Sequence, residues 1–533
     1  MGAYLRALRA LVLLAGFYLL GLVLIGILAG IDWLMVTQTN TGPLTSKIIL
    51  VSVVLSVPIV RGMFMLRTPK PDPTPGVRVT EQDEPRLWAV VRELAEQIGT
   101  RAPDEIVLVD EVNAAVSEEA RWLGLLGGKR TLYLGLPLMT GLDETQLRAV
   151  LGHELGHYSN SDTRMMPLIL RGRAQLIRTI VHFHERADNK VAKETAKQEK
   201  AAEKRLAKGK KATEVDTTGV GVTYRAMARI YTAYGTFYLR ATRSTSRRQE
   251  FAADLAAARI CGRDAYAAAL RELNVLSPAH EFYMSSYATL GVGAGLLPPP
   301  GQVFGGFGAL LAARAEELDG LREDLPTEAA SPYDSHPPLA ERVARIEALP
   351  DDKLPARSAR PSLGLLSDPV AAFTALEREV LTPEAQSLPR VDWEDLVHRS
   401  MSQYVAQGAE DIRTALTAEG TDGSLAALLD AIDADPAMLW RVAEHFPKSD
   451  EAKAASGRAA REFARPAVRR ALNQLVTVEL TARGTARWQL SWSDSASVRY
   501  PADGFAEQLT LALDAAVADR PDTEPLRKLV LAS

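Results

Sequence analysis

Residues 143–162 read D-E-T-Q-L-R-A-V-L-G-H-E-L-G-H-Y-S-N-S-D, and they constrain the fold more than any other stretch of the chain. His153 and His157 stand four apart with Glu154 between them, in an H-E-x-x-H pattern. On a helix, positions i and i+4 share a face about one turn apart, so both imidazoles reach one tetrahedral ion with the carboxylate beside it. The helix has signals of its own. Asp143 and Gln146 form a capping box, Leu142 and Leu147 a hydrophobic staple, and Leu147, Val150, Leu151 and Leu155 an apolar stripe. The alternative is an accident of spacing, which eight histidines in 533 residues rarely produce next to an acid.

A catalytic metal of this kind has three protein ligands and one open position, so a second element must reach the first. The best candidate is S-R-R-Q-E-F-A-A-D, Ser246 to Asp254, on a predicted helix ending near Gly262. Glu250 and Asp254 again share a face. One carboxylate can ligate while the other accepts the distal N–H of a ligating histidine and fixes its tautomer. Spacing alone leaves an ordinary charged helix face, with Arg–Glu pairs, equally open.

Three segments carry a resemblance: H-E-L-G-H with Asp162 five residues on, S-R-R-Q-E-F-A-A-D, and S-H-P-P-L-A-E-R from Ser335 to Arg342. In this order they resemble the membrane-anchored zinc endopeptidases that include the heat-shock protease HtpX and the CAAX prenyl proteases, over roughly residues 78–349. The resemblance implies a zincin-like metallopeptidase domain in which His153, His157 and Glu250 bind one zinc ion and Glu154 is the catalytic base. It further implies that Asp254 orients a ligand, that His336 or Arg342 meets the oxyanion, and that Asn113 on an edge strand holds the substrate. Protein or peptide substrates follow. Two departures bear on the substrate. Such proteases carry a second membrane hairpin after the metal helix, whereas residues 165–183 and 220–239 here are studded with arginine. The acidic stretch beyond Asp351 also lies outside the pattern.

Ahead of this region, Ala10 to Ile31 carries no charge and is long enough to cross a bilayer. A second run, Ile48 to Leu66, is apolar apart from Arg61 and holds Pro58. Together they predict a transmembrane helical hairpin with a loop over 32–47. Arg6 and Arg9 precede it and Arg67, Lys70 and Arg78 follow, so both ends are expected on the cytoplasmic side. A cleaved signal peptide fits less well, because the apolar run is longer than such cores and no A-x-A site follows. Pro69, Pro71, Pro73 and Pro75 make a stiff linker.

The expected fold is mainly α with a small mixed β-sheet: the hairpin and linker (1–75), the metallopeptidase domain (76–350) and an α-rich extension (351–533). Within the domain, Glu84 to Ile98 reads as an amphipathic helix. Glu105–Asp110 and Arg130–Leu136 read as strands of a meander turning at Gly124, Gly127 and Gly128. The Lys/Glu/Ala run 188–216 is a solvated helix or a disordered insert. The extension holds 21 basic and 28 acidic residues, with a hairpin expected over Leu475–Tyr500 and no motif that carries chemistry. A net charge of −4 gives no basis for nucleic-acid binding. One cysteine, Cys261, excludes an internal disulfide framework. His182 and His184 read as surface or packing histidines. The sequence thus points to a membrane-anchored zinc endopeptidase of the cytoplasmic face, with a membrane-anchored scaffold as the alternative.

Overall fold

The computed structural model describes residues 2–38, 42–64, 74–118, 128–158, 166–208, 211, 215–326, 336–351 and 360–531. Asp162, Gly124, Gly127, Ser335 and the linker prolines 69, 71 and 73 lie outside them. The chain divides into two compact units, one of residues 1–276 with 320–369 and one of residues 277–319 with 370–533.

The first unit opens with two helices packed on each other, α1 (Gly2–Gln38) and α2 (Pro43–Phe64). The connection is shorter than the expected loop, because both helices run into it. Within α1, Ala15–Gln38 is long and apolar enough to cross a membrane; the apolar stretch of α2 is the shorter Thr45–Val57. Leu19, Leu22, Val23 and Ile27 stand exposed on α1, whereas Leu13 and Phe17 are buried.

A four-stranded mixed sheet follows, from β1 (Val77–Val79), β2 (Glu105–Val109), β3 (Ala114–Glu118) and β4 (Arg130–Gly135), in the order β1-β2-β4-β3. It is not the meander expected. β2 and β4 run parallel, Val107 opposite Tyr133, and β3 returns antiparallel on the outer side of β4, Val116 opposite Leu132. The apolar runs explain the centre: Ile106 to Val109 and Leu132 and Leu134 are buried, as strands covered on both faces must be. Among the described residues β3 pairs with β4 alone and forms an edge. The amphipathic helix is α3 (Pro85–Ile98), ended by Gly99 in the left-handed region.

A short helix, α4 (Leu136–Gly141), leads into α5 (Glu144–Gly156). The capping box forms as expected: Asp143 Oδ1 accepts from the Gln146 amide at 2.7 Å, and Gln146 Oε1 accepts from the Asp143 amide at 2.9 Å. Then come two long helices packed along each other, α6 (Met166–Leu206) and α7 (Val222–Cys261). The charged run is helical and largely exposed as far as Leu206, and Gln198 ties it to the backbone of Asp216. Leu13 and Phe17 of α1 share a buried cluster with Leu176 and Phe183 of α6 and Ala228, Tyr231 and Tyr238 of α7. Gly262, at φ 96°, breaks the chain before α8 (Arg263–Tyr283). Leu339–Glu347 forms α9, with Pro338 at its N-cap.

The second unit takes Ser277–Asp319 as well as the extension, because Leu297 bridges to Arg390 and the Val303 amide donates to Glu377 at 2.8 Å. Its helices include α10 (Pro369–Val380), α11 (Trp393–Gly408) and α12 (Gly457–Ala482). The expected hairpin is corrected here. Leu475, Val476 and Leu480 are the buried stripe of α12, continuing Val468, Ala471 and Leu472 at helical spacing. The short alternation V-T-V-E-L-T read as a strand only because its window was too narrow to show that period. The strands are the short β5 (Arg487–Gln489) and β6 (Ser497–Arg499).

Candidate metal centre and active site

α5 and α7 pack closely because their facing residues are small. A Cβ on Gly156 would sit 3.3 Å from Ala253 Cα, and one on Gly152 3.6 Å from Ala257 Cα. A Cβ at Gly156 would press on the α7 backbone next to the Glu250 turn, whereas one at Gly152 would meet only ordinary contact. The glycine of H-E-L-G-H and the second alanine of E-F-A-A-D, Ala253, thus fit each other.

His153 Nε2 lies 3.6 Å from Glu250 Oε2, and His157 Nε2 lies 3.9 Å from Glu250 Oε1. The three residues offer donor atoms all within 4.8 Å of one another, and they form the one group of three or more metal-binding side chains among the described residues. Donors about 2 Å from a tetrahedral ion are about 3.3 Å apart. A small inward movement therefore completes the set. His153 Nε2 is buried with no hydrogen-bond partner, an orphan that an ion would satisfy. The donor set, two imidazoles and a carboxylate, fits zinc.

Glu154 is turned to the same space, 4.0 Å from His153 Nε2. Burial raises its carboxyl above the ordinary range. Burial also disfavours a charged ring at His153, but the adjacent Asp254 and Glu250 carboxylates outweigh it and carry the imidazole to about 9. His157 is pushed down to about 4 by burial and by the neighbouring His153. Glu250 and Asp254 are both held well below the carboxylate range: burial opposes this, and the adjacent His153 ring, joined by His336 at Glu250 and by Arg342 at Asp254, overrides it.

The third sequence segment docks on α7 through α9. Glu341 pairs with Arg247, the Arg345 guanidinium lies 3.8 Å over the Phe251 ring, and Arg342 reaches Asp254. This delivers His336, whose Nδ1 is 2.5 Å from Glu250 Oε2 and whose side chain is 46% exposed. Arg342 is elsewhere. Its Nη2 donates to Asp254 Oδ1 at 2.7 Å and to the Tyr266 hydroxyl at 2.7 Å, on the Nδ1 side of His153 and away from the metal-facing Nε2. The two residues considered for the oxyanion therefore occupy opposite sides of the histidine, and only His336 adjoins the donor set. Asn113 is exposed at the start of edge strand β3, and its carbonyl accepts from the Gly135 amide. The Tyr158 hydroxyl, next to His157, donates to the Val116 carbonyl at 2.7 Å and ties that edge to the end of α5.

Sequence reasoning missed Tyr266. It lies on α8 beyond the Gly262 break, is 1% exposed, and its hydroxyl sits 2.6 Å from Asp254 Oδ1 and 2.9 Å from His153 Nδ1. No motif marks it; the turn that returns α8 to α7 is visible only in three dimensions.

An H-E-x-x-H helix with an acidic residue delivered from a second helix defines a peptidase architecture, and the comparisons agree. The model of peptidase family M48 matches residues 81–349, half of the chain, and the chain belongs to that family. It is a protease related to HtpX. It is 27% identical over 226 residues to a protease HtpX homolog of Verminephrobacter eiseniae, covering 42% of this chain and 69% of that protein. Over 265 residues it is 27% identical to protease HtpX of Xanthomonas oryzae pv. oryzae, covering 49% and 71%. A protease HtpX homolog of Chlorobium phaeobacteroides is 25% identical over 287 residues, covering 54% and 76%. No solved structure matches the chain.

Proposed function

We propose that the chain is a membrane-anchored, zinc-dependent endopeptidase acting on protein or peptide substrates, with a role in membrane-protein quality control. One observation carries the chemistry: His153, His157 and Glu250 converge with an orphaned Nε2 among them and Glu154 alongside. Zinc held by these three residues supplies a Lewis acid that acidifies water and polarises a carbonyl. Glu154, with its raised proton affinity, takes the proton from the attacking water and returns it to the leaving amine. Asp254 accepts from His153 Nδ1 and keeps Nε2 free to ligate. His336, beside Glu250, is the donor for the developing oxyanion. β3 aligns the substrate backbone as an added strand, with Asn113 at its start, which favours broad specificity.

The anchor is α1 with α2. The exposed apolar face of α1 supports insertion, and the arginines and lysines flanking the pair favour a cytoplasmic active site in a multi-pass protein. The metallopeptidase domain (76–350) is the working part, and the extension (351–533) is an accessory, most of which shares its compact unit with residues 277–319. Metal analysis of the purified full chain, with casein cleavage measured with and without chelator, tests this. We expect about one zinc per chain and chelator-sensitive cleavage. Cleavage that persists without metal would rule the reading out.

A further inference from the structure

The environment of His153 holds more than the carboxylate expected behind a metal-bound histidine. Four polar groups meet there, all buried: the His153 ring, Asp254 (1% exposed), Tyr266 (1%) and Arg342 (7%). The hydrogen-bonding capacities of these groups leave one arrangement. Arg342 can only donate, and does so to Asp254 Oδ1 and the Tyr266 oxygen, both at 2.7 Å, and from Nε to Asp254 Oδ2 at 3.1 Å. The Tyr266 hydroxyl has one proton, and its shortest contact to an acceptor is Asp254 Oδ1 at 2.6 Å. That proton is therefore spent on the carboxylate, and the phenol oxygen is left to accept. His153 Nδ1 lies 2.9 Å from Asp254 Oδ1 and 2.9 Å from the Tyr266 oxygen, so both near partners present lone pairs to it. Nδ1 must carry the hydrogen, so in the neutral ring that a metal requires the lone pair is on Nε2, the orphaned atom.

Resting on the zinc reading above, we propose that Tyr266 is a positioning residue for the metal. With Arg342 it forms a bridge that gives His153 Nδ1 a second acceptor and pins the ring in the tautomer and orientation that aim Nε2 at the ion. Asp254 alone is a single acceptor about which the imidazole can swing. Two acceptors, themselves joined by Arg342, fix the ring plane. The elements bearing them come from separate parts of the chain, α7 for Asp254, α8 for Tyr266 and α9 for Arg342. Metal retention is thereby tied to the docking of all three helices. The ring stack supports the same role, since the His153 and Tyr266 planes are 24° apart with centroids at 6.1 Å.

The test compares the full-length wild type with Tyr266→Phe, each loaded with zinc, by following zinc release to an excess of chromogenic chelator. The substitution removes only the hydroxyl, leaving the ring and the Asp254–His153 and Asp254–Arg342 contacts in place. We expect release about 10- to 100-fold faster, the usual scale for losing a group that orients a metal ligand, with the Tm of the metal-free chain nearly unchanged. Tyr238→Phe, the same change at another buried tyrosine of this unit, should release zinc at the wild-type rate. A merely structural hydroxyl would move the metal-free Tm and leave release unaltered. Wild-type release from Tyr266→Phe overturns the positioning role alone, whereas a wild-type chain that binds no zinc overturns the zinc reading and this proposal with it.

Discussion

The two compact units treat buried charge in opposite ways. At the centre of the first, His153, Glu250, Asp254 and Arg342 are all buried together. The core of the second is a run of aliphatic and aromatic side chains from Ile412 and Leu429 through Leu472 and Val476 to Leu513 and Leu526. Among its described residues a single charged side chain is buried, Glu377, which accepts from the Val303 amide at 2.8 Å and pairs with the Arg390 guanidinium at 2.7 Å. Burying an ionic group is costly unless it is paired, so each buried charge needs a reason. Glu377 has a structural one, since it fastens Val303 and Arg390 to α10. The cluster around His153 instead gathers four buried ionisable side chains, two of which, His153 and Glu250, share with His157 a set of donor atoms that could hold a metal ion. The convergence of several ionisable groups on one point, more than burial as such, separates a candidate site from a structural clasp.

The contrast is broken most severely at Glu154. Glu154→Gln keeps shape and burial but cannot take a proton, so peptidase turnover should fall about 10³-fold or more with metal content retained. Near-normal cleavage by this variant would remove Glu154 from the chemistry. The matching change in the second unit is Glu377→Gln. It leaves Arg390 facing a neutral amide, so stability should drop by about 3 kcal/mol in that unit. A thermal or denaturant scan should show the loss while zinc content and turnover per folded molecule stay level. Turnover falling in step with Glu154→Gln would mean the extension belongs to the active site.

How much of this was legible beforehand differs between the same two units. His153, Glu154 and His157 announce themselves because helical spacing is a local property: i and i+4 share a face whatever the rest of the chain does. For Glu250 and Asp254 spacing leaves a charged helix face equally open, and the family resemblance supplies the roles. The Asp143–Gln146 capping box is local too, and forms as written. The sheet order is not local. Nothing in E-I-V-L-V or T-L-Y-L says that β4 inserts between β2 and β3, and the meander expected from chain order fails for that reason. Tyr266 and the docking contacts Arg247–Glu341 and Arg345–Phe251 depend on where α8 and α9 return. In the extension, V-T-V-E-L-T alternates over six residues and misleads, while the wider stripe Val468 to Leu480 does not.

His336 and Arg342 sharpen the comparison within the site itself. His336→Ala should lower kcat about 100-fold, the scale of one lost oxyanion donor, with zinc content unchanged. Loss of zinc instead would make His336 a support for Glu250, which it touches. Arg342→Lys should act differently. A lysine cannot span Asp254 and Tyr266 as the guanidinium does, so zinc release should quicken. A fall in kcat with normal zinc release would restore Arg342 to the oxyanion.

The smallest expected effect separates the metal-free site from the loaded one. In the metal-free chain Asp254 and Glu250 raise His153 to about 9 from an ordinary 6.5, against the opposing effect of burial. A histidine raised in the fold stabilises the protein fully below its unfolded value and loses that contribution as pH climbs through the folded one. The window is therefore pH 6.5 to 9, and stability should decline across it. His157, lowered to about 4, works in the opposite sense: its contribution fades as pH falls from 6.5 toward 4. The contribution of these two histidines to the stability of the metal-free chain should thus peak near pH 6.5. With zinc present, His153 must be neutral at Nε2 to ligate, so the upper window closes. Metal-free and zinc-loaded protein should accordingly diverge in Tm above pH 6.5, by about 2–4 °C at pH 9. Parallel curves for the two forms would mean that the imidazole takes no charge from its carboxylate neighbours.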